Sequence, residues 1–274
     1  MLYRLKNVFE DRPKDAKKGD FGRVLIIGGS KMFTGAPALS ALAALYTGCD
    51  LTVIAAPKRA ADICAAISPN LITQPLDGDF LKNQHIKEIK PLIDKADAIV
   101  IGPGLGQEEE TKKTIIKLLE YLKKPTVIDA DAITAIIQKK ETFKNRPFIL
   151  TPHRGEFKKL TGKEVTEENV QLFAKKLGCV ILAKGPKDII SNGKKIEKNN
   201  TGNSYMTVGG TGDVLSGITA ALLARGVTPF DAAMFAAYIM GRAGDIAALT
   251  FGESLTATDI LDIITQVLLE VNDL

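Results

Sequence analysis

The sequence predicts an α/β sandwich with a mostly parallel central sheet flanked by helices. Two observations carry this. Short β-branched runs alternate with longer helical patterns until about residue 212, where the chain turns helical; that order gives a parallel sheet covered on its faces. Five polar or Gly-rich segments also directly follow the C-terminal end of a strand run, the edge along which open α/β sheets bind ligands.

Arg23–Ile27 is a buried strand ending at Gly28-Gly29. Ala36–Tyr46 is rich in alanine and leucine, hence a tightly packed helix. Leu51–Ala55 is a strand closed by Pro57, and Asp97–Ile101 a strand closed by Gly102-Pro103-Gly104. Residues 108–123 form an amphipathic helix with an acidic start and a basic end, which suits its dipole. The strand Thr126–Ile128 ends in Asp129, Phe148–Leu150 at Thr151-Pro152, and Val180–Ala183 at Lys184-Gly185-Pro186. Asp188–Ser191 and Lys194–Lys198 read as a hairpin around Asn192-Gly193. Helices follow over about 213–224, 229–249 and 257–272. No composition break, flexible linker or repeat divides residues 1–274, so one domain is expected.

Composition narrows the function. The net charge of +4 is spread along the chain, tryptophan is absent and aromatics are 6%. No basic run is interleaved with aromatics, which argues against nucleic-acid binding. Cys49, Cys64 and Cys179 stand far apart without CxxC spacing, so they read as buried inert thiols in a reducing compartment. Met1-Leu2-Tyr3-Arg4-Leu5-Lys6 lacks an apolar signal core, and no run of about eighteen apolar residues marks a membrane span. The expected setting is the cytoplasm.

The densest chemical signal is Gly209-Gly210-Thr211-Gly212-Asp213, followed by the apolar helical run from Val214. Glycines let backbone N–H groups converge into an anion-binding concavity, and a helix starting there adds its unpaired N–H groups and dipole. A carboxylate placed where a phosphate would sit makes sense if it takes a proton from a group attacking that phosphate. Its bland alternative is an ordinary helix cap. The strand ends supply neighbours. Lys184-Gly185 brings a cation and a small backbone to the rim, or is a strand-ending turn. His153 is a ligand contact or a hydrogen-bonded rim histidine, while His85, in a Lys-rich stretch, reads as surface. Asp129, Asp131 and Glu156 are candidate oxygen donors for magnesium, directly or through water, although Asp131 equally suits a helix N-cap. Histidines are too few for zinc, no metal-ligating residue set is assigned, and no P-loop is present.

Here the residues match a known pattern. Gly209-Gly210-Thr211-Gly212-Asp213 resembles the Gly-x-Gly-Asp anion hole of ribokinase-like proteins. Lys18–Val24, Gly28-Gly29-Ser30, Thr34–Pro37, Ile101–Gly106, Asp129–Ala132, Leu150–Glu156, Thr201–Asn203 and Gly209–Gly217 together resemble the ADP-dependent NAD(P)H-hydrate dehydratases, in the right order over nearly the whole chain. The resemblance implies a ribokinase-like three-layer sandwich. It implies that Ala36, Gly104, Gly106 and His153 contact a hydrated nicotinamide nucleotide, with Asp213 facing its hydroxyl as the catalytic base. Lys184, Gly185, Pro186, Lys187 and Asp188, with Gly210, Thr211 and Gly212, would bind the adenine nucleotide. The implied reaction dehydrates the S form of NADH hydrate or NADPH hydrate, ADP being the phosphoryl donor with Mg²⁺ and yielding AMP and phosphate. A homo-oligomer is implied, a tetramer among its forms, with an NAD(P)H-hydrate epimerase on a separate chain as functional partner.

Three segments depart from the family pattern. Lys17-Lys18-Gly19 stands where His-Lys-Gly is common, Asp188 where a threonine is common, and Asn203-Ser204-Tyr205-Met206 where Asn-Pro-Gly-Met is usual. Two rivals share part of the signal. A ribokinase-like small-molecule kinase of the thiazole or hydroxymethylpyrimidine type would use the same anion hole and base. A non-catalytic nucleotide-binding protein would have no use for Asp213.

Overall fold

The computed structural model describes residues 1–9, 12–137, 139 and 144–273. Its strands are β1 (Arg23–Ile27), β2 (Leu51–Pro57), β3 (Ile72–Leu76), β4 (Ala98–Ile101), β5 (Thr126–Ile128), β6 (Phe148–Leu150), β7 (Val180–Ala183), β8 (Asp188–Ser191) and β9 (Ile196–Asn199). Its α-helices are α1 (Leu2–Lys6), α2 (Ala36–Tyr46), α3 (Lys58–Ile67), α4 (Ile86–Lys95), α5 (Glu109–Tyr121) and α6 (Asp131–Ala135), then α7 (Arg154–Thr161), α8 (Glu167–Leu177), α9 (Thr211–Ala224), α10 (Pro229–Phe251) and α11 (Ala257–Asn272).

The strands form one sheet in the order β3-β2-β1-β4-β5-β6-β7-β8-β9. It is parallel from β3 to β7, and β8 and β9 add an antiparallel edge. Successive strand side chains point to opposite faces, and both faces are covered. Val24 and Ile26 of β1 join α2, α9, α10 and α11 in one apolar layer. Leu25 and Ile27 join α4, α5, α7 and α8 in the other. This is the expected three-layer arrangement, and it explains why the strand runs are apolar without alternation.

Boundaries moved for local reasons. β2 runs on through Pro57. The hairpin's second strand begins at Ile196 because the Asn192 side chain accepts both Lys194 N–H (3.0 Å) and Lys195 N–H (2.8 Å), holding them in the loop. Helix α5 opens on Glu109 and Glu110 as expected, but it stops at Tyr121, so its last turn is not basic; Lys124 instead donates to the Asp94 carbonyl (2.8 Å). Helix α9 begins two residues before the expected start, which places Asp213 third in the helix and Gly210 at its cap.

His85 corrects the surface reading. It is fully buried, its Nδ1 accepting the Lys82 N–H (3.0 Å) and its Nε2 lying 2.9 Å from the Asp77 carbonyl. One ring nitrogen takes the donor role and the other the acceptor role, so a neutral imidazole satisfies both ends. All three cysteines are buried free thiols; burial pushes Cys49 and Cys64 up to about 11 and Cys179 to about 12, in keeping with inert side chains. Helix α10, with the turn after it, is long and apolar enough to cross a membrane by composition. Its apolar window is 67% buried within the fold, the mark of a core helix.

Candidate active site

The five Gly-rich or polar segments follow β1, β4, β5, β6 and β7, five neighbours in the sheet. Parallel pairing puts their C-terminal ends on one rim. Sequence-distant residues meet there because the sheet order, not the chain order, sets adjacency.

At the centre lies Asp129, just past β5. Its carboxylate is 2% exposed, and Oδ1 lies 2.9 Å from Lys184 Nζ. Oδ1 also accepts the Thr151 hydroxyl (2.7 Å), and Oδ2 accepts the Ser216 hydroxyl (2.8 Å). Lys184 is fixed at its backbone too, where its N–H donates to the Pro152 carbonyl (2.8 Å). Burial alone would pull the Lys184 ammonium down, but Asp129, Glu156 and Asp213 outweigh it and keep the group above its usual value. It is therefore a cation at all working pH.

The Gly209–Asp213 segment approaches this cation. Gly210 has φ +95°, and a Cβ there would lie 2.6 Å from Leu39 Cδ1 and 2.9 Å from Ala257 Cβ; only glycine suits this turn. At Gly212 a Cβ would fall 3.3 Å from Lys184 Nζ and 3.9 Å from Asp129 Oδ2, so the missing side chain leaves the first turn of α9 open to the cation. Thr211 turns its hydroxyl back to the Val208 carbonyl (3.0 Å). The Ser40 hydroxyl of α2 donates to the Asp213 carbonyl (2.9 Å), tying the start of α9 to its neighbour. Asp213 is not the cap of α9, and its carboxyl is pushed up to about 7: burial raises it, Asp129 and Asp131 add repulsion, and Lys184 offsets part of this. That value is near the ideal for a general base at neutral pH.

On the other side of the rim, Ala36 opens α2 with its Cβ 3.2 Å from where a Gly104 Cβ would stand. The Gly102–Gly106 turn is clamped by Asp131, whose Oδ2 accepts the Gly106 N–H (2.7 Å) and whose Oδ1 accepts the Gln107 amide. Asp131 thus holds this loop; the cap position of α6 falls to Ala130. His153 caps α7: its Nδ1 accepts Gly155 N–H (3.0 Å) and Glu156 N–H (3.2 Å), and Glu156 Oε2 accepts His153 N–H (2.8 Å). With Nδ1 occupied as an acceptor, the ring proton sits on Nε2, and the exposed ring presents a donor. Burial pushes the Glu156 carboxyl up, and Lys184 offsets part of this.

Pro186 and Lys187 are exposed in the β7–β8 turn, outside the polar cluster. Asp188 accepts the Gly185 N–H (3.1 Å) and the Asn199 amide (3.1 Å), so this departure from the family pattern stabilises the turn after Lys184. Ser204–Met206 form a single turn in which Asn203 accepts Tyr205 N–H (3.0 Å) and donates to the Gly244 carbonyl (3.1 Å); asparagine sets the path here without a Pro-Gly pair.

Magnesium donors were expected among Asp129, Asp131 and Glu156. The first two have both oxygens engaged in internal hydrogen bonds, and no group of three His, Cys, Asp or Glu side chains suited to a metal occurs among the described residues. Glu156 Oε1, 3.6 Å from His153 Nε2, is the carboxylate oxygen left to meet a hydrated ion. The donor set fits magnesium carried chiefly by phosphates and water. Ser216 escaped the sequence reading. Its signal was a hydroxyl one turn after Asp213 inside an apolar helix, where a buried polar group needs a partner.

The chain matches a family model described as NAD(P)H-hydrate dehydratase over residues 24–266. An ADP-dependent (S)-NAD(P)H-hydrate dehydratase of Cenarchaeum symbiosum is 39% identical over 94% of this chain and 92% of that relative. A bifunctional NAD(P)H-hydrate repair enzyme of Pyrobaculum aerophilum is 44% identical over 94% of this chain and 52% of its own length. The chain spans about half the length of the first curated relatives it matches. The crystal structure of an ADP/ATP-dependent NAD(P)H-hydrate dehydratase from Bacillus subtilis, co-crystallised with ATP and Mg²⁺, superposes with a TM-score of 0.82 at 26% identity, covering 99% of this chain and 97% of that one. The ribokinase-like expectation for the fold holds: a ribokinase-like superfamily protein of Enterococcus faecalis superposes with a TM-score of 0.87 at 28% identity over 99% of this chain and 95% of that one.

Proposed function

Because the chain belongs to the NAD(P)H-hydrate dehydratase family, we propose that it dehydrates the S form of NADH hydrate and NADPH hydrate, converting ADP to AMP and phosphate. One observation carries this reading: a half-buried carboxyl raised to about 7, Asp213, stands in the first turn of α9 beside a fixed ammonium. A ring hydroxyl is a poor leaving group as hydroxide. Asp213 takes its proton as the oxygen attacks the terminal phosphate of ADP, and the Gly210–Gly212 amides and the helix N-terminus offset the charge that builds there. Phosphate then leaves from carbon, pushed by the ring nitrogen, and loss of the neighbouring ring proton restores the nicotinamide. The protein mainly positions the reactants and stabilises charge.

In this reading Ala36, Gly104, Gly106 and the Nε2–H of His153 contact the hydrate. Lys184 to Asp188 and Gly210 to Gly212 receive the nucleotide. Magnesium, when bound, would neutralise phosphate charge, with Glu156 holding one of its waters. Residues 1–274 act as one domain in a homo-oligomer, a tetramer being one form. The proposed setting is the cytoplasm, and an NAD(P)H-hydrate epimerase on another chain would supply the S form. The deciding assay mixes the protein with ADP and NADH hydrate. Returning NADH absorbance with AMP and phosphate supports the dehydratase, and a stable phosphorylated product without NADH points to a kinase.

Two further outcomes are expected. The base works ionised and its pKa is raised to about 7, so kcat/KM should fall about tenfold per unit as pH drops below about 7. A profile flat down to about pH 5 would exclude Asp213 as that base. His153→Ala should raise KM for the hydrate about tenfold, the worth of one good hydrogen bond, with kcat nearly unchanged. Calorimetry showing unaltered hydrate affinity would remove His153 from the contact set.

A further inference from the structure

The Asp129–Lys184 pair is built as a positioning device. A buried ion pair is a poor source of stability, because desolvation consumes most of the attraction. This one nevertheless draws on four elements: the ends of β5, β6 and β7 supply Asp129, Thr151 and Lys184, and α9 supplies Ser216. Three hydrogen bonds leave the Asp129 carboxylate a single orientation. The Lys184 side chain is 21% exposed, and its Nζ lies beside the first turn of α9, 3.3 Å from where a Gly212 Cβ would stand. Both members of the network's α9 contact, Gly212 and Ser216, share a helix with Asp213, so cation and base are held in one frame.

We infer that Asp129, oriented by Thr151 and Ser216, is a positioning residue that aims the Lys184 ammonium at the phosphoryl group in transfer. This rests on the dehydratase reading. In the step concerned, the hydrate oxygen forms a bond to the terminal phosphorus and gives its proton to Asp213. The bond from that phosphorus to the bridging oxygen breaks, and its electron pair leaves with AMP. Lys184 stays protonated and donates to the oxygens on phosphorus. The charged groups facing Asp213 are Asp129 from the end of β5, Asp131 from α6 and Lys184 from the end of β7. Removing the Asp129 charge therefore leaves Lys184 less neutralised and makes Asp213 easier to ionise.

The test uses the full chain and compares kcat, KM, pH profile and melting temperature across variants. Asp129→Asn is expected to lower kcat about 10²-fold, the scale of losing an aligned electrostatic group, and to move the acid limb of the profile to lower pH. Ser216→Ala and Thr151→Val keep every charge and nearly the same volume. Each should lower kcat about five- to tenfold at unchanged KM for the hydrate, leave the acid limb in place, and lower the melting temperature by no more than the several degrees that one lost buried hydrogen bond costs. Should Asp129→Asn not fold, these two carry the test. A folded Asp129→Asn with unchanged kcat and acid limb overturns the inference, as do Ser216→Ala and Thr151→Val with wild-type kcat. Wild-type protein that returns no NADH from NADH hydrate and ADP overturns the dehydratase reading and the inference together, a result separate from any variant's behaviour.

Discussion

Asp213→Asn is expected to lower turnover about 10²–10⁴-fold, the usual cost of removing a general base, while ADP binding stays near wild type. Asparagine keeps the side-chain volume, and the contact from Ser40 goes to the Asp213 backbone carbonyl, so the start of α9 is preserved. The same substitution has an opposite effect on stability. The Asp213 carboxyl is raised from 3.8 to about 7 in the fold, first by burial and then by Asp129. The native chain thus holds this proton more tightly than the unfolded chain, and the fold loses stability as pH rises from about 4 through about 7. An amide has no proton to lose. The melting temperature of the variant should therefore gain on wild type across that window and keep the gain at pH 8. Steady-state turnover near wild type would dismiss the base assignment, and a pH-independent difference in melting temperature would dismiss the burial account.

Gly102→Ala should be the most damaging small substitution on the rim. Gly102 has φ +132°, a region closed to alanine, and an added Cβ would collide with the Asp129 carbonyl oxygen and come within 3.1 Å of Ala132 Cβ. Neither neighbour is the tip of a flexible side chain. Backbone strain and overpacking each cost about 1–3 kcal/mol, so a loss of roughly 3 kcal/mol or more is expected. At this chain length that lowers the melting temperature by about 6–12 °C. Turnover per folded molecule should fall too, because the displaced atom belongs to Asp129. Gly209→Ala is the matched control, since a Cβ there meets nothing within 4 Å. An unshifted melt for Gly102→Ala would mean that β4 and β5 do not approach as closely as described.

The sheet was legible where strands are covered on both faces, because Val24–Ile27 and Val180–Ala183 are continuous apolar runs. β3 was not, since Ile72-Thr73-Gln74-Pro75-Leu76 carries a proline, which the edge of a sheet tolerates and its centre does not. The glycine-rich strand ends were legible from local order alone. Their mutual adjacency followed from the parallel arrangement, but the partners of Asp129 did not: Ser216 lies 87 residues away on a helix, and no local pattern links the two. His85 misled because its lysine neighbours point outward while its own ring fills an interior turn. Asp188 and Ser204-Tyr205 looked like departures in sequence, and each turns out to have a local structural role.

The rim of five adjacent strand ends is assembled from segments between Gly28 and Asp213. β1, the first strand made, sits inside the sheet, and its neighbour β4 follows only after β2 and β3. The last part to arrive is α9, with the base on it. In chain order the anchor Asp129 comes first, then Lys184, and Asp213 comes after both. The site is therefore complete only when segments separated by more than 180 residues of chain, from Gly28 to Asp213, have come together on one edge of the sheet.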